Sequence, residues 1–170
     1  ICWLLPLHAQ LRLTENKGQW TDQIRYRMDL TYGNIYVEQS GLLFDMSDPE
    51  DLENIHYIKE NSIPADPDDV IIRKHAWRMT PVGMQEQPAI STSQPSADYS
   101  NYFIGNDPDH WASSVRHFSS ITIHDVFPHT NMQISSHADR PKYELTLYPG
   151  ANLHNIAFVY SGLDSMHLKD

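Results

Sequence analysis

The chain has 170 residues, 40% of them hydrophobic, and sets 12 Lys and Arg against 22 Asp and Glu for a formal charge of −10. That length makes one domain with room for a sizeable core. The acidic balance excludes a nucleic-acid partner and electrostatic docking on anionic lipid, and the single cysteine, Cys2, excludes an internal disulfide and a cysteine-based zinc site.

Residues 1–10 are apolar and end near a small residue, Ala9. They read as the remnant of a signal peptide, with cleavage near Ala9 or Gln10 removing Cys2. The alternative is an ordinary first strand. The stretch is too short to span a bilayer, so no transmembrane span is expected. Both ends look cut, and the chain reads as a piece of a longer precursor, with residues 11–170 forming one domain truncated at its C-terminal end.

Asn16-Lys17-Gly18 signals a turn, and Trp20 after it is expected to pack on the core. Residues 24–30 alternate, with Ile24, Tyr26, Met28 and Leu30 on one face and Arg25, Arg27 and Asp29 on the other. Turns at Tyr32-Gly33-Asn34 and Ser40-Gly41 separate further strands over 35–38 and 42–45, a meander. Residues 47–58 break the pattern. Ser47 or Asp48 can cap, Pro49 can open a helix, and Leu52, Ile55 and Ile58 recur at helical spacing. Residues 61–69 form an acidic surface loop. Asp66, Asp68 and Asp69 raise calcium binding, but the central Gly and terminal Glu of an EF-hand are missing, and a solvated loop is the preferred reading. Residues 70–79 predict a long strand carrying His75 and Trp77. Residues 81–97, rich in Pro, Ser, Thr and Gln, predict a loop.

Residues 99–115 are the stretch around which the rest is organised. Tyr102, Phe103 and Ile104 form a short apolar strand, stopped by Gly105-Asn106-Asp107-Pro108. Asp107 caps, Pro108 opens, and one or two helical turns run on to Ser114. Trp111 and Val115, four apart, would then share a face and plug the edge of a sheet. As a buried anchor, Trp111 would cost roughly 3–5 kcal/mol to truncate. Trp111 as a sugar platform, and Asn106, Asp107 and Asp109 as calcium ligands, are the alternatives.

Strands are expected over 115–118, 121–126 and 131–135, with a turn at Phe127-Pro128-His129 and a hairpin loop over 136–141. Residues 142–148 alternate, with Tyr143, Leu145 and Leu147 against Lys142, Glu144 and Thr146. Pro149-Gly150 ends that strand. Another covers 156–160, and residues 166–168 begin one more. So many short strands predict an all-β fold, an antiparallel β-sandwich with one or two short helices and long loops.

The chemistry-bearing residues form no catalytic pattern. There is no Gly-x-Ser-x-Gly elbow, no phosphate loop among the seven glycines, and no His-Glu-x-x-His pair. His110, His117, His124 and His129 lie on separate elements. His124-Asp125 could form a His–carboxylate pair, yet a triad also needs a placed serine and an oxyanion hole. Asp45, Asp48, Glu50 and Asp51 sit on an exposed face, which favours solvation over paired-carboxylate catalysis. No enzyme, no cofactor and no metal site is expected.

Glu15-Asn-Lys-Gly-Gln-Trp20, Asn101-Tyr-Phe-Ile-Gly-Asn-Asp107 with Trp111 and Val115, Lys142-Tyr143, and Tyr148-Pro-Gly-Ala151 with Ile156 occur together. In this combination the chain resembles, over most of residues 13–170, the N-terminal β-rich domain of large exported Bacteroidota proteins. Those proteins often continue into β-propeller-type repeats, immunoglobulin-like modules and a sorting domain read by type nine secretion or gliding-motility machinery. The acidic segment over 47–69 and the Phe127-Pro128-His129 turn depart from the family pattern. The resemblance carries no established activity.

The resulting expectation is a non-catalytic structural or adhesive module of a secreted cell-surface protein. Its partners would be downstream domains of the same chain and an extracellular polysaccharide or protein. Trp20, Tyr102, Phe103, Gly105, Asp107, Trp111, Tyr143, Pro149 and Gly150 would hold the scaffold, their rings locked between two sheets. The alternative is a carbohydrate-binding module in which Trp77, Tyr99 and Trp111 are exposed and stack on sugar.

Overall fold

Strand patterning dominates the computed structural model, which describes residues 11–63, 70–137 and 140–167. The signal-peptide reading of residues 1–10 and the acidic loop positions 64–69 fall outside the described residues, as do Ala138 and Asp139 in the expected hairpin loop and Leu168 in the expected final strand. The strands are β1 (Leu13–Glu15), β2 (Ile24–Leu30), β3 (Gly33–Glu38), β4 (Leu42–Ser47), β5 (Lys74–Pro81) and β6 (Ile90–Thr92). Then come β7 (Pro95–Tyr102), β8 (Ala112–Phe118), β9 (Ser120–Phe127), β10 (Thr130–His137), β11 (Arg140–Leu147) and β12 (Phe158–Ser161). One α-helix, α1 (Pro49–Glu60), lies between β4 and β5.

The strands build two antiparallel sheets, an eight-stranded one in the order β12-β5-β4-β3-β2-β1-β8-β7 and a four-stranded one in the order β11-β10-β9-β6. The all-β sandwich expectation holds. The core lies between the sheets: Leu13, Met28, Val37 and Met79 from the large sheet meet Ile121, Ile123, Val126 and Met132 from the small one, all at 2% exposure or less. Burying side chains of this size contributes roughly 1.5–3 kcal/mol each.

Two bulges aim side chains. Asp125 has φ 50°, and the pairing of β9 with β10 slips there. The extra residue turns Val126 into the core beside Phe127. Ser114 has φ 55°, beside a slip in the β7–β8 register, and Val115 comes out fully buried. In both places an Asn side chain on the neighbouring strand accepts the free backbone N–H: Asn131 for Asp125 and Asn101 for Ser114.

Several expectations need correction. Residues 81–97 are not a continuous loop, because β6 and the start of β7 lie within them. Their polar residues suit outer and end strands, where hydrogen-bond pairing decides and little apolar burial is required. The strand expected over 70–79 begins only at Lys74, and Met166 and His167 are not in a strand. Phe103 and Ile104 lie beyond the end of β7, and the helical turns expected to reach Ser114 shrink to one 3-10 turn, Pro108–His110. Trp111 and Val115 therefore share no helix face, since β8 already begins at Ala112.

The helix expected around residues 47–58 is present. Asp48 caps it by accepting the Glu50 backbone N–H, and Pro49 opens it. None of its residues is buried. It is held by charge instead: Arg73 makes a two-pronged contact with Asp51 at 2.8 and 2.9 Å, with Asp48 at 3.2 Å.

Candidate functional site

Thr14, His117 and Ser100 meet on the outer face of the large sheet. Leu13 and Phe118 point into the core, so their neighbours Thr14 and His117 point out, and the register sets Thr14 directly beside His117. His117 Nδ1 lies 3.0 Å from Thr14 Oγ1, and Nε2 lies 2.8 Å from Ser100 Oγ. The imidazole thus clasps β1, β8 and β7. His117 and Thr14 are only 5% and 3% exposed. Burial, seconded by the Arg12 guanidinium, lowers the His117 pKa and keeps the ring neutral.

Around the clasp runs a cleft of about 270 Å³ lined by Arg12, Asp29 and Tyr102 as well. Arg12 pairs with Asp98, whose carboxyl it holds below the usual range. The Arg27 guanidinium stacks over Trp20 at 4.4 Å, and Tyr102 meets the same indole edge-on at 5.7 Å. Trp20 and Tyr102 are therefore half-buried on this outer face and do not pack in the core between the sheets. In chemical terms a serine hydroxyl faces an imidazole nitrogen. The third member is a neutral threonine hydroxyl, which orients the ring but does not stabilise an imidazolium as a carboxylate would.

A second Ser–His contact is set the other way round. His124 Nε2 lies 2.8 Å from Ser91 Oγ, and the Asn131 amide nitrogen lies 3.2 Å from Nδ1. Because Asn131 Oδ1 accepts the Asp125 N–H, the amide presents its NH2 to the ring. The ring proton therefore sits on Nε2 and is donated to Ser91, the wrong direction to activate that hydroxyl. His124 pairs with Ser91 and Asn131, and the His124–Asp125 pair that the sequence raised and set aside does not form. Asp125 is used for the bulge.

The structural residues named from sequence divide in two. Gly105 (φ 77°) and Gly150 (φ 100°) occupy left-handed turn positions, as their roles require. Tyr148 to Ala151 closes a turn through a 2.9 Å backbone bond, with Pro149 second and Gly150 third, the type II arrangement. Asp107 caps the 3-10 turn through the Asp109 N–H and contacts His110 at 3.0 Å.

The rings expected to be locked inside are not. Phe103 is 60% exposed, Trp111 43% and Tyr143 46%. The reason is geometric: four strands cannot cover eight, so side chains near the ends of the large sheet and at the open edge of the small one stay wet. Phe103 and Trp111 brace each other edge-on at 5.8 Å, and the indole N–H points at the Gly105 carbonyl.

Trp77, Tyr99 and Trp111 do not form one sugar platform. Trp77 lies on β5, stacked flat on Phe44 at 5.0 Å, whereas Tyr99 lies on β7 at the other end of the sheet. Six strand spacings separate those strands, about 29 Å at ~4.8 Å each. No group of three or more metal-ligating side chains occurs among the described residues.

Thr14, Ser100 and Arg12 went unmarked by sequence reasoning, and Asp29 was read only as part of the polar face of residues 24–30. The one available signal was the parity of residues 115–118, which sets His117 on the face opposite Phe118.

Two stacked antiparallel sheets and an outer face held by a hydroxyl–imidazole–hydroxyl clasp define an all-β sandwich module. The chain belongs to the family described as a domain of unknown function, DUF7948, whose model matches residues 13–170. No curated protein and no solved structure matches the chain. Among the described residues no helix is long and apolar enough to cross a membrane.

Proposed function

We propose that this domain is a non-catalytic, structural and adhesive module near the N-terminus of an exported cell-surface protein. The host protein would be of the Bacteroidota kind, handled by type nine secretion or gliding-motility machinery. The observation that carries the reading is the Phe103–Trp111 pair. Gly105 turns the chain and Asp107 caps the 3-10 turn at Pro108. Two large rings are thereby held rigidly in water at the end of the large sheet, with Ile104, 76% exposed, beside them. A contiguous apolar group that is braced yet uncovered favours contact with something outside the domain. His117, with both ring nitrogens engaged by hydroxyls, serves the scaffold in this reading.

The same pair supports a second reading, carbohydrate binding, because an exposed indole with a braced edge is a stacking surface for a sugar ring. Binding of the immobilised domain to a glycan array and to intact cells tests both. Adhesion to cells without glycan binding favours the first reading, and glycan binding favours the second. The Phe103→Ala, Trp111→Ala double variant, still folded, is expected to abolish whichever signal is seen. Undiminished binding by that variant would remove the loop from either role.

A further inference from the structure

The apolar face of β11 is half open. Tyr143, Leu145 and Leu147 lie opposite the buried Ile134, Met132 and Thr130 of β10, so they share the core-facing side. Yet Tyr143 is 46% and Leu147 41% exposed, because β11 ends the small sheet. Across the gap β12 ends the large sheet, and its Phe158 meets Tyr143 edge-on at 6.2 Å. The sandwich therefore has a mouth flanked by two strand edges that pair with nothing among the described residues.

The outward side of β11 carries a charge pattern that reads the same after a half-turn. Lys142 and Glu144 flank Tyr143 and pair along the strand at 2.8 Å. Laid antiparallel against itself with the twofold axis at Tyr143, the strand sets Lys142 opposite Glu144 twice. On the apolar side Pro141 falls opposite Leu145 twice, and Tyr143 opposite Tyr143. We propose that β11 is a homotypic docking edge, pairing in this register with β11 of a second copy and joining two four-stranded sheets into one.

An edge Pro and an edge Lys ordinarily repel a docking strand. Opposite a glutamate the same Lys selects its partner: other edges offer Lys142 and Glu144 no complementary charge across the strand pair, and a copy of this one offers both. The dimer closes, since the contact uses the same patch on both copies. It also leaves each Phe103–Trp111 loop free, because β7 and β12 are opposite ends of the large sheet.

Sedimentation velocity over a concentration series tests the proposal, with amide hydrogen exchange as a second measurement. The wild-type domain is expected to show a monomer–dimer equilibrium, with exchange over Arg140–Leu147 slowing as concentration rises. Lys142→Glu and Glu144→Lys, each placing like charges opposite twice, should weaken dimerisation by about tenfold or more. The two together should restore it, because the charges are then exchanged but still complementary. Both side chains are half exposed, so thermal melts of the dilute variants should match wild type. A domain that stays monomeric at high concentration overturns the proposal. So do single swaps that dimerise like wild type, a double swap that fails to rescue, or unchanged exchange in β11.

Discussion

The Nε2 atom of His117 and the hydroxyl of Ser100 meet at 2.8 Å, tying β7, the last strand of the large sheet, to β8. The ring's other nitrogen reaches Thr14 on β1, a residue 103 positions away in the chain. His117→Leu would leave the buried Thr14 hydroxyl and the Ser100 hydroxyl without their partner. A loss of roughly 2–3 kcal/mol is expected. Ser100→Ala, which removes one end of the clasp, should cost about 1 kcal/mol. Urea unfolding of the two variants checks both the size and the order of these effects.

The same ring predicts an acid-side loss of stability. Burial first, and the Arg12 charge second, hold the folded pKa of His117 below its ordinary value, with Asp98, Asp29 and Glu15 pulling the other way. The unfolded chain therefore takes up the proton more readily. The contribution is complete above about pH 6.5 and erodes as pH falls from there toward the depressed folded value. Asp51 acts in a separate window. Hydrogen bonds from Arg73 bring its carboxyl down to about 2, so its contribution is full above the ordinary 3.8 and lost as pH falls toward that lower figure. Unfolding midpoints from pH 8 to pH 2 should show both legs. His117→Gln should erase the upper leg only, and Arg73→Gln should shrink the lower one, leaving the part that Arg12 supplies through Asp98.

Trp111→Ala separates position from size. A buried anchor would cost roughly 3–5 kcal/mol, but an indole that is 43% exposed and braced on one edge should cost about 1 kcal/mol. Met132→Ala, at 0% exposure in the core, should cost about 2–5 kcal/mol despite its smaller side chain. Thermal melts that reversed this order would show the loop to be part of the scaffold.

Gly150→Ala tests the turn after β11. At φ 100° a Cβ is strained, and it would also sit 3.3 Å from the His129 ring. A loss of about 1–2 kcal/mol is expected. His129→Ala clears the contact but not the dihedral, so combining the two should recover only part of the loss, read from the same melts.

Strands with clean alternation were legible in the sequence, β2 and β11 above all, because successive side chains of a strand point to opposite faces. So were the turn glycines Gly105 and Gly150 and the Asp107 cap, which are local events, while the cap of α1 was narrowed to Ser47 or Asp48. What sequence concealed was coverage. Whether Tyr143 is buried depends on how many strands lie over it, and no window of residues around it carries that number. Phe103 and Trp111 were misplaced for the same reason, since aromatic density marks a capacity for burial and not its occurrence. β7 was hidden differently. Pro95 to Asn101 has the composition of a loop and becomes a strand through pairing with β8. The clasp at His117 joins three strands distant in the chain, so only its outward parity could be read.

The helix α1 buries none of its residues, and it is moored by the Arg73 contacts together with one hydroxyl contact from Tyr32 to Glu53. A moored appendage of this kind answers to ionic strength: raising salt should let it swing away while the rest of the domain keeps its shape. That makes the β4–β5 connection the natural place to splice in a tag or reporter without reworking the interior.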